Sequence, residues 1–175
     1  DWLSQPLHVG VGQNYNLRFE GGSEEFRWSA SLGYKDIQGA MIGSGRKTFS
    51  GGVTLSYSYK NLTFRNQTSI GSNKSEESPY GSFSDYARQQ PYNAPWTDDG
   101  KLNRYFDGWD AWETQVQNPL YDATLGNIDK SGYVEIINNF SVEWKMTPEL
   151  TLRGKFGISH TNNTCLLYTS DAADE

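Results

Sequence analysis

Alternation of apolar and polar residues, sustained over about ten positions and repeated six times, is the feature that most limits what this chain can become. The stretch FRWSASLGYK, residues 26–35, shows it plainly: Phe26, Trp28, Ala30, Leu32 and Tyr34 alternate with Arg27, Ser29, Ser31, Gly33 and Lys35. Successive side chains of an extended strand leave on opposite faces, so a period of two makes a ribbon with one apolar and one polar side. A helix would need a period of 3.6. The same pattern runs through residues 7–19 (Leu7, Val9, Val11, Tyr15, Leu17, Phe19), 49–59 (Phe49, Val53, Leu55, Tyr57, Tyr59) and 62–71 (Leu62, Phe64, Ile70). It returns in residues 134–146 (Val134, Ile136, Phe140, Val142, Trp144, Met146) and 150–160 (Leu150, Leu152, Phe156, Ile158).

Charge obeys the same parity. Arg18, Glu25, Arg27, Lys35, Arg65, Glu135, Glu143, Lys145, Arg153 and Lys155 all fall on the polar side. A soluble core rejects charge, and so does a bilayer, at roughly 2–4 kcal/mol for Lys or Arg at its midplane. Parity alone therefore leaves the covering of the apolar side open. Length separates the two cases better. These ribbons run about 10–13 residues, against about 5–6 for ordinary strands and about 9–11 for a tilted strand that crosses a bilayer. Connections alternate as well. Residues 21–24, 60–61 and 147–149 make tight turns, whereas 37–47 is longer and 73–133 very long. Short turns at one end and long loops at the other are the habit of outer-membrane barrels. Rings gather beside the tight turns (Phe19, Phe26, Tyr59, Trp144), where a bilayer interface would hold them. The expected fold is all-β: an antiparallel up-and-down meander of about six long strands, part of a large transmembrane β-barrel, with one long extracellular loop carrying short helical turns.

The pattern has faults. Asn66, Thr68 and Asn138 fall among apolar positions, Ile137 among polar ones, and His160 on the apolar side near the upper rim. A bulge shifting the register of 62–71 by one residue would explain part of this.

The formal charge of −6, with no cluster of Lys and Arg, argues against nucleic acid. No apolar run reaches the 18 residues of a membrane helix. A mean hydropathy of −0.72 does not speak against a barrel, whose polar lumen residues dilute the apolar half. Residues 165–175, CLLYTSDAADE, break the alternation and resemble a translated sequencing adapter. They are expected to be a non-native tail, leaving residues 1–164 as the partial barrel. The tail carries Asp171, Asp174 and Glu175 and no Lys or Arg, so residues 1–164 hold −3 of the −6. It also carries Cys165, the only cysteine, which removes disulfide, Cys-metal and thiol-nucleophile chemistry from the rest.

A connection as long as 73–133 is expected to carry function or small elements of its own. SFSDYARQQ (82–90) reads as a short helix or turn capped by Ser82 or Ser84, and NAPWTDDGK (93–101) as a Pro-bounded loop turning at Asp99-Gly100. Flat rings can stack on sugar faces and carboxylates can bond hydroxyls. Tyr86, Tyr92, Trp96, Trp109 and Trp112, with Asp107 and Asp110, are the ligand-binding candidates. The plainer alternative is that such rings pack the loop against itself. Asp98 and Asp99, or Asp107 and Asp110, lack the spacing of a calcium hand. His8 and His160 have no partner motif, and neither a nucleophile elbow nor a phosphate loop is present, so no catalytic residue, metal or cofactor is expected. Asn61-Leu-Thr and Asn66-Gln-Thr match glycosylation acceptors, which a bacterial barrel would make chance matches.

QNYNLRFEGGSEEFRWSASLGYKDIQGAMIGS resembles the early barrel region of SusC/RagA-type TonB-dependent transporters, outer-membrane proteins of the Bacteroidetes. Asn14 and Asn16 lead into Gly21, Gly22 and Glu24, and the aromatic ribbon closes on Gly33, Tyr34, Asp36 and Gly39. YGSFSDYARQQPYNAPWTDDGKL, NPLYDATLGNIDKSGYVEIINNFSVEW and LTLRGKFGISHTNNT resemble consecutive later stretches of the same family. The resemblance implies an energy-coupled importer of oligosaccharides or peptides in the Gram-negative outer membrane. It implies about 22 strands around a plug, a SusD-like surface lipoprotein over the mouth, and TonB engaged from the periplasm through a missing N-terminal part. On this view the chain is an internal fragment. Six strands fall short of the smallest barrel, about eight, so alone it should not transport. Two alternatives differ in kind: a secreted β-sandwich that binds glycans through the aromatic loop, and a glycoside hydrolase with two loop carboxylates about 5–10 Å apart.

Overall fold

The computed structural model describes residues 1–106 and 116–168. In chain order the elements are β1 (Gly12–Gly22), β2 (Phe26–Gln38), β3 (Gly45–Tyr59), β4 (Leu62–Glu76), α1 (Phe83–Ala87), β5 (Tyr105–Phe106), β6 (Val116–Gln117), α2 (Pro119–Asp122), β7 (Ile128–Lys145) and β8 (Thr151–Tyr168). Six of the strands form one antiparallel sheet in the order β1-β2-β3-β4-β7-β8, the predicted meander. β5 and β6 pair by themselves inside the long connection.

The tight turns fall where the sequence placed them. At Gly22, φ is +137°, and a Cβ would stand 2.7 Å from the Arg27 Cα, so the turn needs glycine there. Ser23 closes the same turn: its N–H donates to the Phe26 carbonyl (2.6 Å) and its Oγ accepts from the Phe26 N–H (3.2 Å). At their other ends the strands run further than alternation indicated, to Gln38, Glu76 and Tyr168, and β7 begins at Ile128. β1 begins at Gly12, not at residue 7. Leu7 instead forms an isolated bridge with Met41, and the His8 N–H donates to the Ala40 carbonyl (2.9 Å), so this segment runs beside the β2–β3 loop.

The register aligns the alternating faces across all six strands. One row holds Phe19, Ala30, Val53, Thr68, Asn138 and Ile158; the next toward the open-loop end holds Leu17, Leu32, Gly51, Ile70, Ile136 and His160. The apolar band ends in an aromatic row, Tyr15, Tyr34 and Phe49. The two hydroxyls point beyond it: Tyr15 Oη donates to Gln13 Oε1 (3.2 Å) and Tyr34 Oη to Asp36 Oδ2 (3.3 Å). Above the rings the same face turns charged, with Lys47–Asp36 (3.6 Å) and Lys130–Glu76 (3.0 Å) pairs between adjacent strands.

Among the described residues nothing covers either face of this sheet. No residue of the six strands is buried; Phe19, Leu32, Leu55, Phe140 and Phe156 are all exposed on the apolar side. The buried residues lie in the long connection and the N-terminal segment. The β-sandwich alternative is therefore overturned: it requires a second sheet against this face, and among the described residues the only other ladder has two residues per strand.

The polar interruptions of the apolar face have a local explanation, and it is not a bulge. β4 pairs without a break with β3 and β7. Asn66, Thr68 and Asn138 do share the apolar face, and they satisfy one another. Asn138 Nδ2 donates to Thr68 Oγ1 (2.7 Å) and to Asn66 Oδ1 (3.1 Å), Asn66 Nδ2 donates to Asn138 Oδ1 (3.3 Å), and Thr68 Oγ1 donates to Asn66 Oδ1 (3.2 Å). An unmet polar group out of water costs about 1–3 kcal/mol, whereas removing all partners together is close to neutral. For the chain reconstituted in lipid vesicles, Asn138→Leu alone should destabilise by about 1–2 kcal/mol. The triple change Asn66→Leu, Thr68→Val, Asn138→Leu should recover most of that loss. Urea unfolding followed by tryptophan fluorescence measures both, and equal losses in the two variants would show that the cluster is not coupled.

Candidate functional site

In the connection between β4 and β7, residues 77–106 and 116–127 fold into a small body with its own core. α1 starts where Ser82 accepts from the Ser84 N–H, one of the two predicted caps. Tyr86 on α1 is 1% exposed, and its hydroxyl lies 3.0 Å from both the Tyr80 and Pro119 carbonyls. Phe106 and Leu120 complete the core with Trp2, whose ring meets Phe106 edge-on at 5.6 Å and whose Nε1 donates to the Gln90 carbonyl (3.2 Å). Asn118 is fully buried and serves three segments. Its Nδ2 donates to the Asn103 (2.7 Å) and Pro95 (3.2 Å) carbonyls, and its Oδ1 caps α2 by accepting from the Leu120 N–H (3.0 Å).

The body is tied to the open-loop end of the sheet. Ser78 Oγ donates to the Ile42 carbonyl (2.6 Å), and the Ile42 N–H donates to the Pro6 carbonyl (2.8 Å). The N-terminal segment, the β2–β3 loop and the base of the long loop thus lock together above the charged row.

The ligand candidates divide into three groups. Tyr86 belongs to the core and offers no ring face to solvent, the packing role that long loops give their aromatics. Tyr92 (63% exposed) and Trp96 (52% exposed) stand on the outside, each following a proline, Pro91 and Pro95. Asp107, Trp109, Asp110 and Trp112 lie outside the described residues. A hollow of about 460 Å³ runs beside Tyr92 between the N-terminal segment and the loop, lined by Asp1, Leu3, Gln89 and Pro95. Trp96 is held by its bridge to Leu102 and by the predicted turn, in which Gly100 has φ +77° and its N–H donates to the Thr97 carbonyl (2.9 Å). Asp98 and Asp99 sit on that exposed turn. Among the described residues no three His, Cys, Asp or Glu side chains gather as a metal site would require.

Trp2, Leu120 and Asn118 carry the geometry of this body and were not foreseen. Asn118-Pro119 has the signature of a helix start, an Asn cap followed by proline at the first helical position, and could have flagged α2. Trp2 carries no such signal.

An antiparallel meander of long strands, apolar on one face as far as a row of rings and polar on the other face, with short turns at one end and a folded loop at the other, defines the wall of a large β-barrel. Two solved structures share this arrangement: the RagAB peptide importer in its "closed-closed" state and the RagAB peptide transporter. Each superposes with a TM-score of 0.71 at 21% identity, covering 93% of this chain and 19% of that chain. The likeness shows the fold, and the chain spans about a fifth of the length of those proteins. No family model matches the chain. No curated protein sequence matches it.

Because the loop has its own core, its stability should separate from that of the sheet. Tyr86→Ala should cost the loop about 3–5 kcal/mol and Asn118→Ala about 1–3 kcal/mol. Limited proteolysis should then cut within 77–127 while the strand signal in circular dichroism stays. Loss of the strand signal in step with loop cleavage would show one cooperative unit instead.

Proposed function

We propose that this chain is part of the barrel wall of an outer-membrane, TonB-dependent transporter of the SusC/RagA type, with the aromatic face against lipid and the polar face lining the interior. The observation that carries the reading is the uncovered apolar band. It occupies positions 49–59 of β3, 62–72 of β4 and 134–144 of β7, about the 9–11 residues a tilted strand needs to cross a bilayer. Tyrosine hydroxyls and ion pairs mark where it ends, as amphipathic rings and charges do at a membrane interface. Among the described residues no helix is long and apolar enough to span a membrane, and strands do not need one.

On this reading the wall serves import and not catalysis. Its partners are outer-membrane lipid, the TonB complex, a SusD-like surface lipoprotein over the loop, and a peptide or oligosaccharide cargo. The named neighbours import peptides, which favours peptide of the two. Tyr92 and Trp96 are exposed rings placed to meet cargo, with Asp107, Trp109, Asp110 and Trp112 as further candidates. The division of the chain also stands as proposed: residues 1–164 barrel, 165–175 adapter-derived tail. Pairing of Cys165 and Leu166 with Ser131 and Lys130 fits a foreign tail, because the backbone ladder accepts any residue but proline.

Cysteine labelling tests the membrane reading. In a Cys165→Ser background reconstituted in lipid vesicles, Phe156→Cys and Ile136→Cys should resist a water-soluble maleimide, whereas Lys155→Cys and Glu135→Cys should react at least about tenfold faster. Equal rates at neighbouring positions would rule out lipid on the aromatic face. For cargo, Trp96→Ala in the complete transporter should lower uptake with barrel assembly unchanged; unchanged uptake would assign that ring to packing.

A further inference from the structure

The polar face is not uniformly polar. At its tight-turn end one row of the register reads Arg27, Ser56, Arg65, Ser141, Lys155 across five strands. The three cations stand two strands apart, about 9–10 Å, with a serine between each pair. None of the three is in an ion pair among the described residues, although two pairs flank them on the same face: Arg18 with Glu20, and Arg153 with Glu143 at 2.8 Å. The row and its two flanking pairs thus bring five cations and two carboxylates together, with Glu24 also lining one of the hollows there, in a chain whose overall charge is −6. Two hollows meet there, of about 660 Å³ and about 780 Å³, and Ser56 and Arg65 line both.

We propose that this end of the polar face docks an acidic polypeptide segment laid across the strands, with carboxylates over Arg27, Arg65 and Lys155. The inference rests on the reading above that this face lines the barrel interior. Charge complementarity names the occupant. The spacing narrows it: a polyproline-II segment has three residues per turn and rises about 3.1 Å per residue, so a carboxylate at every third position recurs on the same side at about 9 Å, close to the interval between the cations. Two of the three are arginines, whose planar forks accept a carboxylate through two parallel hydrogen bonds. The intervening serines leave room for the backbone of the segment to approach. A small inorganic anion would use one cation at a time and would leave the periodic row unexplained.

The test uses the 175-residue chain in lipid vesicles and two fluorescein-labelled peptides, five repeats of Glu-Ser-Ser and five of Gln-Ser-Ser, followed by anisotropy. The Glu peptide should bind at least about tenfold tighter than the Gln peptide, and the difference should shrink as salt rises. Arg65→Gln should weaken Glu-peptide binding about tenfold, and Arg65→Lys should restore part of it. Lys35→Gln, on the same face but nearer the open loops, and Lys47→Gln, on the apolar side, should change it less than about twofold. Equal binding of the two peptides overturns the proposal, as does an Arg65→Gln affinity equal to the parent's. Full displacement by inorganic phosphate at the same total charge also overturns it and leaves only a small-anion site. Circular dichroism of each variant guards against misfolding. The labelling experiment above separates the two readings: a Phe156/Lys155 reactivity contrast without Glu-peptide binding sinks only the docking site. Loss of that contrast sinks the barrel reading on which it rests.

Discussion

A sheet with one apolar face must cover that face with something, and among the described residues no element does so. Burying apolar area is worth about 25 cal/mol per Å², and for a sheet this wide an open apolar face is not a stable surface in water. Everything else about the strands conforms to a covering that comes from outside. The apolar face runs across six strands, interrupted by the self-satisfied Asn66–Thr68–Asn138 cluster, the band has the same height on β3, β4 and β7, and its upper limit is drawn by Tyr15, Tyr34 and Phe49 with ion pairs immediately above. Exposed ion pairs contribute little to stability, typically under 1 kcal/mol; their position matters more than their strength. On the proposed membrane reading they mark where the surroundings of that face change from apolar to aqueous.

The same constraint explains why the molecule keeps its core elsewhere. A strand in a barrel wall has no interior to share with its own chain, so among the described residues the closely packed region is the body built around Trp2, Tyr86, Phe106 and Leu120. That body is stabilised by ordinary soluble-protein means: an edge-on ring pair, a tyrosine hydroxyl between two carbonyls, and an asparagine that joins three backbone segments. Tyr92 and Trp96 can stay exposed because Tyr86, Phe106 and Leu120 already hold the loop together. Aromatic residues in one loop thus fill two roles, and burial separates them where sequence could not.

What was legible in the sequence followed where the two faces of a strand meet different surroundings. Residues 26–35 read as a strand because Trp28 and Arg27 face opposite media. Alternation fades at Asp36–Gln38, Asn73–Glu76 and Ile128–Tyr133, where both faces meet water and nothing selects apolar residues at every second position. The strands continue there on backbone pairing and cross-strand polar contacts such as Lys47–Asp36, Lys130–Glu76 and Ser75–Ser131. In the other direction, Leu7, Val9 and Val11 kept the period of two without forming the strand, because Pro6 and Gly10 interrupt it and the segment is captured by the β2–β3 loop. The Asn66–Thr68–Asn138 cluster looked like a register fault because a single sequence shows three misplaced polar residues but not that they touch across 70 positions. Trp2 was invisible for the same reason: its partners lie far along the chain.

Two unsatisfied surfaces remain, and they demand the same completion. The first is the apolar face. The second is the pair of sheet edges: among the described residues, the outer sides of β1 and β8 carry unpaired N–H and C=O groups along 11 and 18 residues. Water would satisfy the edges and leave the face exposed. Lipid would satisfy the face and leave the edges, at several kcal/mol for each unmet group in hydrocarbon. Only further strands paired to both edges, curving until the sheet meets itself, let lipid cover the face while every backbone group is bonded. A closed barrel is therefore the arrangement that the register, the band and the edges require together. The superposition of this chain on a fifth of a RagAB importer is one instance of it. The basic row at Arg27, Arg65 and Lys155 then acquires a definite location, inside such a barrel near the tight turns, where low local dielectric strengthens its call for carboxylates.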